Sequence, residues 1–213
     1  VNLGPREDLI IGVDRLDYSK GLPHRFEAFG MFLDRQEPGD RRASFLQIAP
    51  PSREDVEAYQ EIRDELERLS GSVNGRHAEL DWTPIRYIHR SLPRDRLAVL
   101  YRTARVGLVT PLIDGMNLVA KEYVAAQNPD DPGVLVLSRM AGAAEDMTAA
   151  LLVNPHDLED MAVAIETALA MPLDERRRRH EELLATVQRS DIAVWRRNYL
   201  RALRDVQSVL TIS

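Results

Sequence analysis

The sequence predicts an α/β fold: one doubly wound, parallel, Rossmann-like sheet with helices on both faces. Short apolar runs alternate with longer amphipathic ones along the chain. The short runs are continuously apolar, as in strands buried on both faces. No internal repeat or low-complexity linker divides the 213 residues, a length that suits one large unit. A single domain over 1–213 is therefore expected, with a helical portion from about residue 157.

Leu9-Ile10-Ile11-Gly12-Val13 reads as the first strand, followed by a loop and a helix over 22–35. Residues 43–49 form the second strand. The stretch 54–69 is helical, because Val56, Tyr59, Ile62, Leu66 and Leu69 recur at three- and four-residue spacings. A strand over 85–89 and a helix over 94–104 follow. The fourth strand, 106–110, is cut off by Pro111, and a helix continues over 118–127. Residues 134–137 form a fifth strand between Pro132-Gly133 and Ser138, and 151–153 a sixth ended by Asn154-Pro155. From Leu158 to about Leu210 the chain reads as helical, wrapping back along the domain or reaching toward a neighbour.

Composition excludes several functions. Hydrophobic residues make up 44% and charged residues 29%, as in chains that bury a core, and no apolar run is long enough for a membrane span. A net charge of -6 argues against a general nucleic-acid surface. The absence of cysteine excludes disulfides, thiolate metal sites and a cysteine nucleophile, and fits a cytoplasmic enzyme. The opening Val1-Asn2-Leu3-Gly4-Pro5-Arg6 reads neither as a signal peptide nor as an initiator, so the sequence is expected to begin partway through a longer protein.

In doubly wound sheets, ligands bind beyond the carboxyl ends of the strands. The loop after the first strand, Asp14-Arg15-Leu16-Asp17-Tyr18-Ser19-Lys20-Gly21-Leu22-Pro23, sets Arg15 and Lys20 beside a glycine that opens a helix. Two cations at a helix N-terminus suit a diphosphate; the plainer reading is a loop of solvated charges. After the fourth strand, Asp114-Gly115-Met116-Asn117-Leu118-Val119-Ala120-Lys121-Glu122 combines an acid, a turn and a helix start. Asp114 can hold sugar hydroxyls, the amides of Met116, Asn117 and Leu118 can meet phosphate, and Glu122 can take a ribose diol. The alternative is an N-cap Asp114 with a salt-bridged Glu122. Among 28 basic residues the only lysines are Lys20 and Lys121, one in each of these stretches; a lysine offers a compact point charge where arginine offers a planar fork.

These two stretches resemble the signatures of the trehalose-6-phosphate synthase family. Gln47-Ile48-Ala49-Pro50-Pro51-Ser52-Arg53, Gly133-Val134-Leu135-Val136-Leu137-Ser138, Gly142-Ala143-Ala144 and Val153-Asn154-Pro155 match as well, so the resemblance covers essentially the whole chain. It implies the C-terminal, donor-binding domain of a GT-B glycosyltransferase, whose N-terminal acceptor domain is absent from this chain. By that resemblance Arg15 and Lys20 neutralise the diphosphate, Asp114 binds glucose hydroxyls and Glu122 the ribose. Gly115 and Met116, with the amides of Asn117, Leu118 and Val119, line the donor site, Ile48 and Leu92 flank the base, and Arg53 reaches the acceptor phosphate. At Leu92 some relatives carry an aromatic residue, which leaves nucleotide preference open.

The implied reaction transfers glucose with retention from a nucleotide-glucose, UDP-glucose foremost, to glucose 6-phosphate by front-face attack. No metal or other cofactor is implied, because Arg15 and Lys20 fill the electrostatic role of a magnesium ion. The isolated chain is expected to bind nucleotide without turning over. Alternatives are a non-catalytic sugar-nucleotide-binding or regulatory subunit, and a related retaining transferase with another acceptor. An oxidoreductase is disfavoured, since no G-x-G-x-x-G turn follows the first strand. A homo-oligomer stays open; nucleic acid and membrane are not expected partners. Arg176-Arg177-Arg178-Arg179-His180, flanked by acids, reads as a solvated helical face. Trp82 and Trp195 read as packing residues, the histidines form no metal spacing, and only His89 stands near the expected cleft.

Overall fold

The strand order is that of a doubly wound sheet. The computed structural model describes residues 4, 7–37, 39, 41–52, 57–189, 196, 197 and 199–201. Within them β1 (Glu7–Val13), β2 (Arg42–Ile48), β3 (Ile85–Ile88), β4 (Val106–Val109), β5 (Val134–Ser138) and β6 (Leu151–Val153) form one sheet, ordered β3-β2-β1-β4-β5-β6. All five pairings are parallel. The order reverses between β1 and β4, and there the crevice at the carboxyl ends opens.

Side chains alternate across each strand and build two cores. Ile10, Phe45, Val106, Leu108 and Val136 face a core shared with helices α1 (Leu22–Leu33), α2 (Glu57–His77) and α5 (Leu158–Ala170). Leu9, Ile11, Leu46, Ile48, Val109 and Leu135 face the other, shared with α3 (Arg94–Thr103), α4 (Leu118–Ala126) and α6 (Leu173–Arg189). Each face thus carries three helices, as the continuous apolar strands predict. The connection from β5 to β6 is made instead by a short 3-10 turn, Gly142–Glu145.

Two helices differ from expectation. Helix α2 runs on past Leu69 to His77 through Ser70-Gly71-Ser72. Two residues in that polar tail explain it: Val73 is buried, and the Asn74 side chain brackets Ile85, accepting from its amide at 2.8 Å and donating to its carbonyl at 3.0 Å. The expected C-terminal helix breaks at Met171-Pro172 into α5 and α6, because a residue before proline is driven out of the helical region; Met171 has ψ 126. Helix α6 then packs back against α4 and β5. Trp82 is a packing residue, 8% exposed, and donates to Ser44 Oγ. Trp195 lies outside the described residues, as does most of the expected helix beyond Arg189. No helix among the described residues is long and apolar enough to cross a membrane.

Candidate active site

The loops after β1 and β4 meet over the crevice. Asp17 caps a 3-10 turn, Tyr18–Lys20, accepting from the amide and hydroxyl of Ser19. Burial by itself would raise the Asp17 carboxyl, but Ser19 and the charges of Arg15 and Lys20 hold it below the usual range. Gly21 follows with φ 63 and opens α1 without a side-chain cap. Glycine is required twice over here: its φ is left-handed, and a Cβ would lie 2.9 Å from the Thr110 carbonyl oxygen. The Ser19 carbonyl accepts from Leu112 and Ile113, lacing the two loops together.

The β4 loop is held on its other side by the segment after β5. Gly142 donates to the Asp114 carbonyl at 2.9 Å and Ala143 to that of Met116 at 2.9 Å. A Cβ on Gly142 would come within 2.2 Å of the Gly115 oxygen, so only glycine permits this approach. Asn117, at φ 70, is the N-cap of α4 and accepts from the Ala120 amide. The cap is therefore Asn117, and Asp114 is left for other work. Helix geometry leaves the first amides, Leu118 and Val119, without intrahelical partners.

Asp114 is the meeting point. Its Oδ2 accepts from Lys20 Nζ at 2.6 Å and from Asn117 Nδ2 at 3.1 Å, and the two charged side chains are only 14% and 18% exposed. A lysine and an aspartate 94 residues apart thus stand together, beside a helix start whose amides favour an anion. Such a site can take a phosphate on its cationic side and hydroxyl groups on its carboxylate side.

The remaining predicted residues surround this pair unevenly. Arg15, Gly115, Met116, Leu118 and Glu122 are exposed, Glu122 one turn into α4. Ile48 is only 1% exposed and packs in the same apolar cluster as the half-buried Leu92 and Val119, so it underlies the crevice. Arg53 lies outside the described residues. His89 follows β3 directly and lines a groove of about 450 Å³ with Leu16, Ser52, Tyr59, Arg63 and Glu67. Among the described residues no cluster of His, Asp and Glu could hold a metal ion.

Comparison with known proteins settles the lineage. Residues 2–205 match glycosyltransferase family 20. The chain belongs to that family. It is 52% identical to the trehalose-6-phosphate synthase of Sodalis glossinidius over 200 residues, 94% of this chain and 43% of the relative. It is also 57% identical to a UDP-forming alpha,alpha-trehalose-phosphate synthase from Burkholderia xenovorans, solved in complex with glucose-6-phosphate. That superposition has a TM-score of 0.89 over 93% of this chain and 44% of the other. An E. coli structure bound with UDP-2-fluoro glucose matches at 49% identity and the same TM-score, over 93% and 44%. The chain thus spans well under half the length of these family members.

Sequence reasoning missed the most buried charged side chain beside this crevice. Arg25, on α1, is 0% exposed and pairs with Asp14 at 2.6 Å. Burial pushes the Asp14 carboxyl up while the Arg25 charge opposes it. The arginine resembles any polar helix residue in sequence; only its place at the first turn after the glycine hinted at the crevice. The basic run also needs correction. Arg178 pairs with Glu175 and Glu182 on a solvated face, as expected, whereas Arg179 is half-buried and donates to the Ala149 carbonyl as well as to Glu175. Arg176 and His180 are buried, His180 lying 3.1 Å from the Val124 carbonyl on α4.

Proposed function

We propose that this chain is the donor-binding half of a retaining glycosyltransferase that moves glucose from UDP-glucose to glucose 6-phosphate, giving trehalose 6-phosphate. The observation that carries the reading is the Lys20–Asp114 contact at 2.6 Å across the switch point. It joins the two stretches on which the resemblance rests.

Departure of UDP builds negative charge on the diphosphate and positive character on the anomeric carbon. Lys20, Arg15 and the amides at the start of α4 are suited to stabilise the first, a preorganised electrostatic effect that is usually the largest catalytic contribution. Asp114, held by Lys20 and Asn117, is suited to orient the glucose hydroxyls, and Glu122 to take the ribose. Donor binding exchanges the Lys20–Asp114 pair for diphosphate on the lysine and sugar hydroxyls on the carboxylate, so neither side chain is left without a hydrogen-bond partner in either state. Assigning the cationic role to Arg15 and Lys20 makes a divalent metal unnecessary. Attack by the acceptor hydroxyl on the leaving-group face, with the departing phosphate as base, accounts for retention without a carboxylate nucleophile. Arg53 is assigned to the acceptor phosphate, and the N-terminal acceptor domain completes the cleft.

Calorimetric titration with UDP, GDP and ADP tests the donor site. UDP is expected to bind saturably, and Lys20→Ala to weaken it by on the order of 10- to 100-fold, as for loss of a charge-assisted contact. Binding of no nucleotide by the full-length protein would remove the proposal. The 213-residue chain alone is expected to show no glucosyl transfer.

A further inference from the structure

Arg25 heads the fully buried side chains by volume, and each of its three guanidinium nitrogens is hydrogen-bonded. Nε donates to Thr110 Oγ1 at 3.0 Å, and Nη1 to Asp14 Oδ2 at 2.6 Å and to Gln47 Oε1 at 3.0 Å. Nη2 donates to the Lys20 carbonyl at 3.2 Å. These acceptors sit at the carboxyl ends of β1, β2 and β4 and on the turn that carries Lys20. The backbone is adapted to the cluster: a Cβ on Gly12, within β1, would lie 2.3 Å from Gln47 Oε1 and 2.8 Å from Arg25 Nη1.

A buried ion pair is a poor way to gain stability, because desolvation offsets most of the attraction. Its geometry is more informative. One planar fork spans three strand ends and holds Lys20 by its backbone while the Lys20 side chain reaches Asp114. Thr110, the Nε acceptor, begins the loop that carries Asp114. Arginine stays charged and its donors point in fixed directions, whereas lysine is a single flexible point of charge.

We infer that Arg25 is a positioning residue for glucosyl transfer: it sets the Lys20 turn and the Thr110 end of β4 in register, so that Lys20 and Asp114 meet the diphosphate and the sugar together. The inference rests on the donor-site reading above. Its scope is distinct, since Arg25 itself touches no substrate.

The test is a double-mutant cycle in the full-length protein, with Arg25→Lys, Lys20→Ala and the pair. Steady-state transfer from UDP-glucose to glucose 6-phosphate and calorimetric UDP affinity are the readouts. Arg25→Lys is expected to lower kcat by roughly 10- to 100-fold, the scale of an ångström-sized misplacement, with a smaller change in KM for glucose 6-phosphate. In the Lys20→Ala background it is expected to cost clearly less than in the unaltered protein, because one of the two groups being positioned is gone. Independent, multiplying effects overturn the inference, as does a lowered unfolding midpoint with kcat unchanged. If Arg25→Lys does not fold, Thr110→Val removes one acceptor at nearly constant shape and is expected to show the same non-additivity with Lys20→Ala; its absence overturns the inference equally. Lys20→Ala that binds UDP like the unaltered protein overturns the donor-site reading itself, and with it Arg25's role.

Discussion

Two buried arginines sit at opposite ends of one sheet, and they do different work. Arg25 lies at the carboxyl ends, where its acceptors belong to the strand ends and turn of the candidate site. Arg176 lies near the amino end of β5, where it reaches Asp131, the Pro132 carbonyl and the Met171 carbonyl. It fastens the α5–α6 junction to the loop before β5, a part of the scaffold. The partners differ too. The Asp14 side chain is 2% exposed, whereas that of Asp131 is 57% exposed and has Arg105 at 3.4 Å as a second cation. Burial of the partner, more than burial of the arginine, decides what removing the arginine costs.

That contrast can be broken by experiment. Arg25→Met leaves Asp14 buried and uncompensated, and is expected to cost about 3–5 kcal/mol in urea unfolding. Arg176→Met strands two carbonyls and a carboxylate that water can reach, so a smaller loss of about 1–3 kcal/mol is expected. UDP affinity of the full-length protein is expected to stay unchanged in Arg176→Met; a fall comparable to that of Lys20→Ala would erase the distinction between the two arginines.

The smallest effect is in acid. A hydrogen bond from Arg176, with the charges of Arg105 and Arg176, holds the Asp131 carboxyl below its ordinary value, despite some opposing desolvation. A carboxylate whose folded value is depressed adds stability above its unfolded value, near pH 4, and loses it as pH falls through the folded one. The stability gap between the unaltered chain and Arg176→Met is therefore expected to narrow below about pH 4. With Asp131 largely exposed, the change is less than about 1 kcal/mol. Unfolding midpoints at pH 3 and pH 6 measure it, and a gap that widens in acid contradicts the assignment.

Much of this was legible in the sequence. Strand cores such as Val106-Gly107-Leu108-Val109 and Val134-Leu135-Val136-Leu137 announce themselves by continuous apolarity, because a parallel sheet buries both faces. Lys20 and Asp114 stood out for the opposite reason, as charges and glycines where strands end. The tail of α2 did not, since Ser70-Gly71-Ser72 looks like a turn until Val73 and Asn74 find partners on α1 and β3. Arg176 and Arg178 are alike in sequence, and their different fates follow from which side of α6 meets the protein.

By itself the sequence determined the parallel α/β class, the order of its elements and the two loops that carry the candidate chemistry, because periodicity and turn residues act over a few neighbouring positions. Tertiary structure alone decided that Lys20 and Asp114 touch across 94 residues, that Asn117 is the cap of α4, and that Arg25 ties three strand ends together. Those outcomes depend on how far apart packed elements lie and which polar groups lose their water, and neither quantity is written in local pattern.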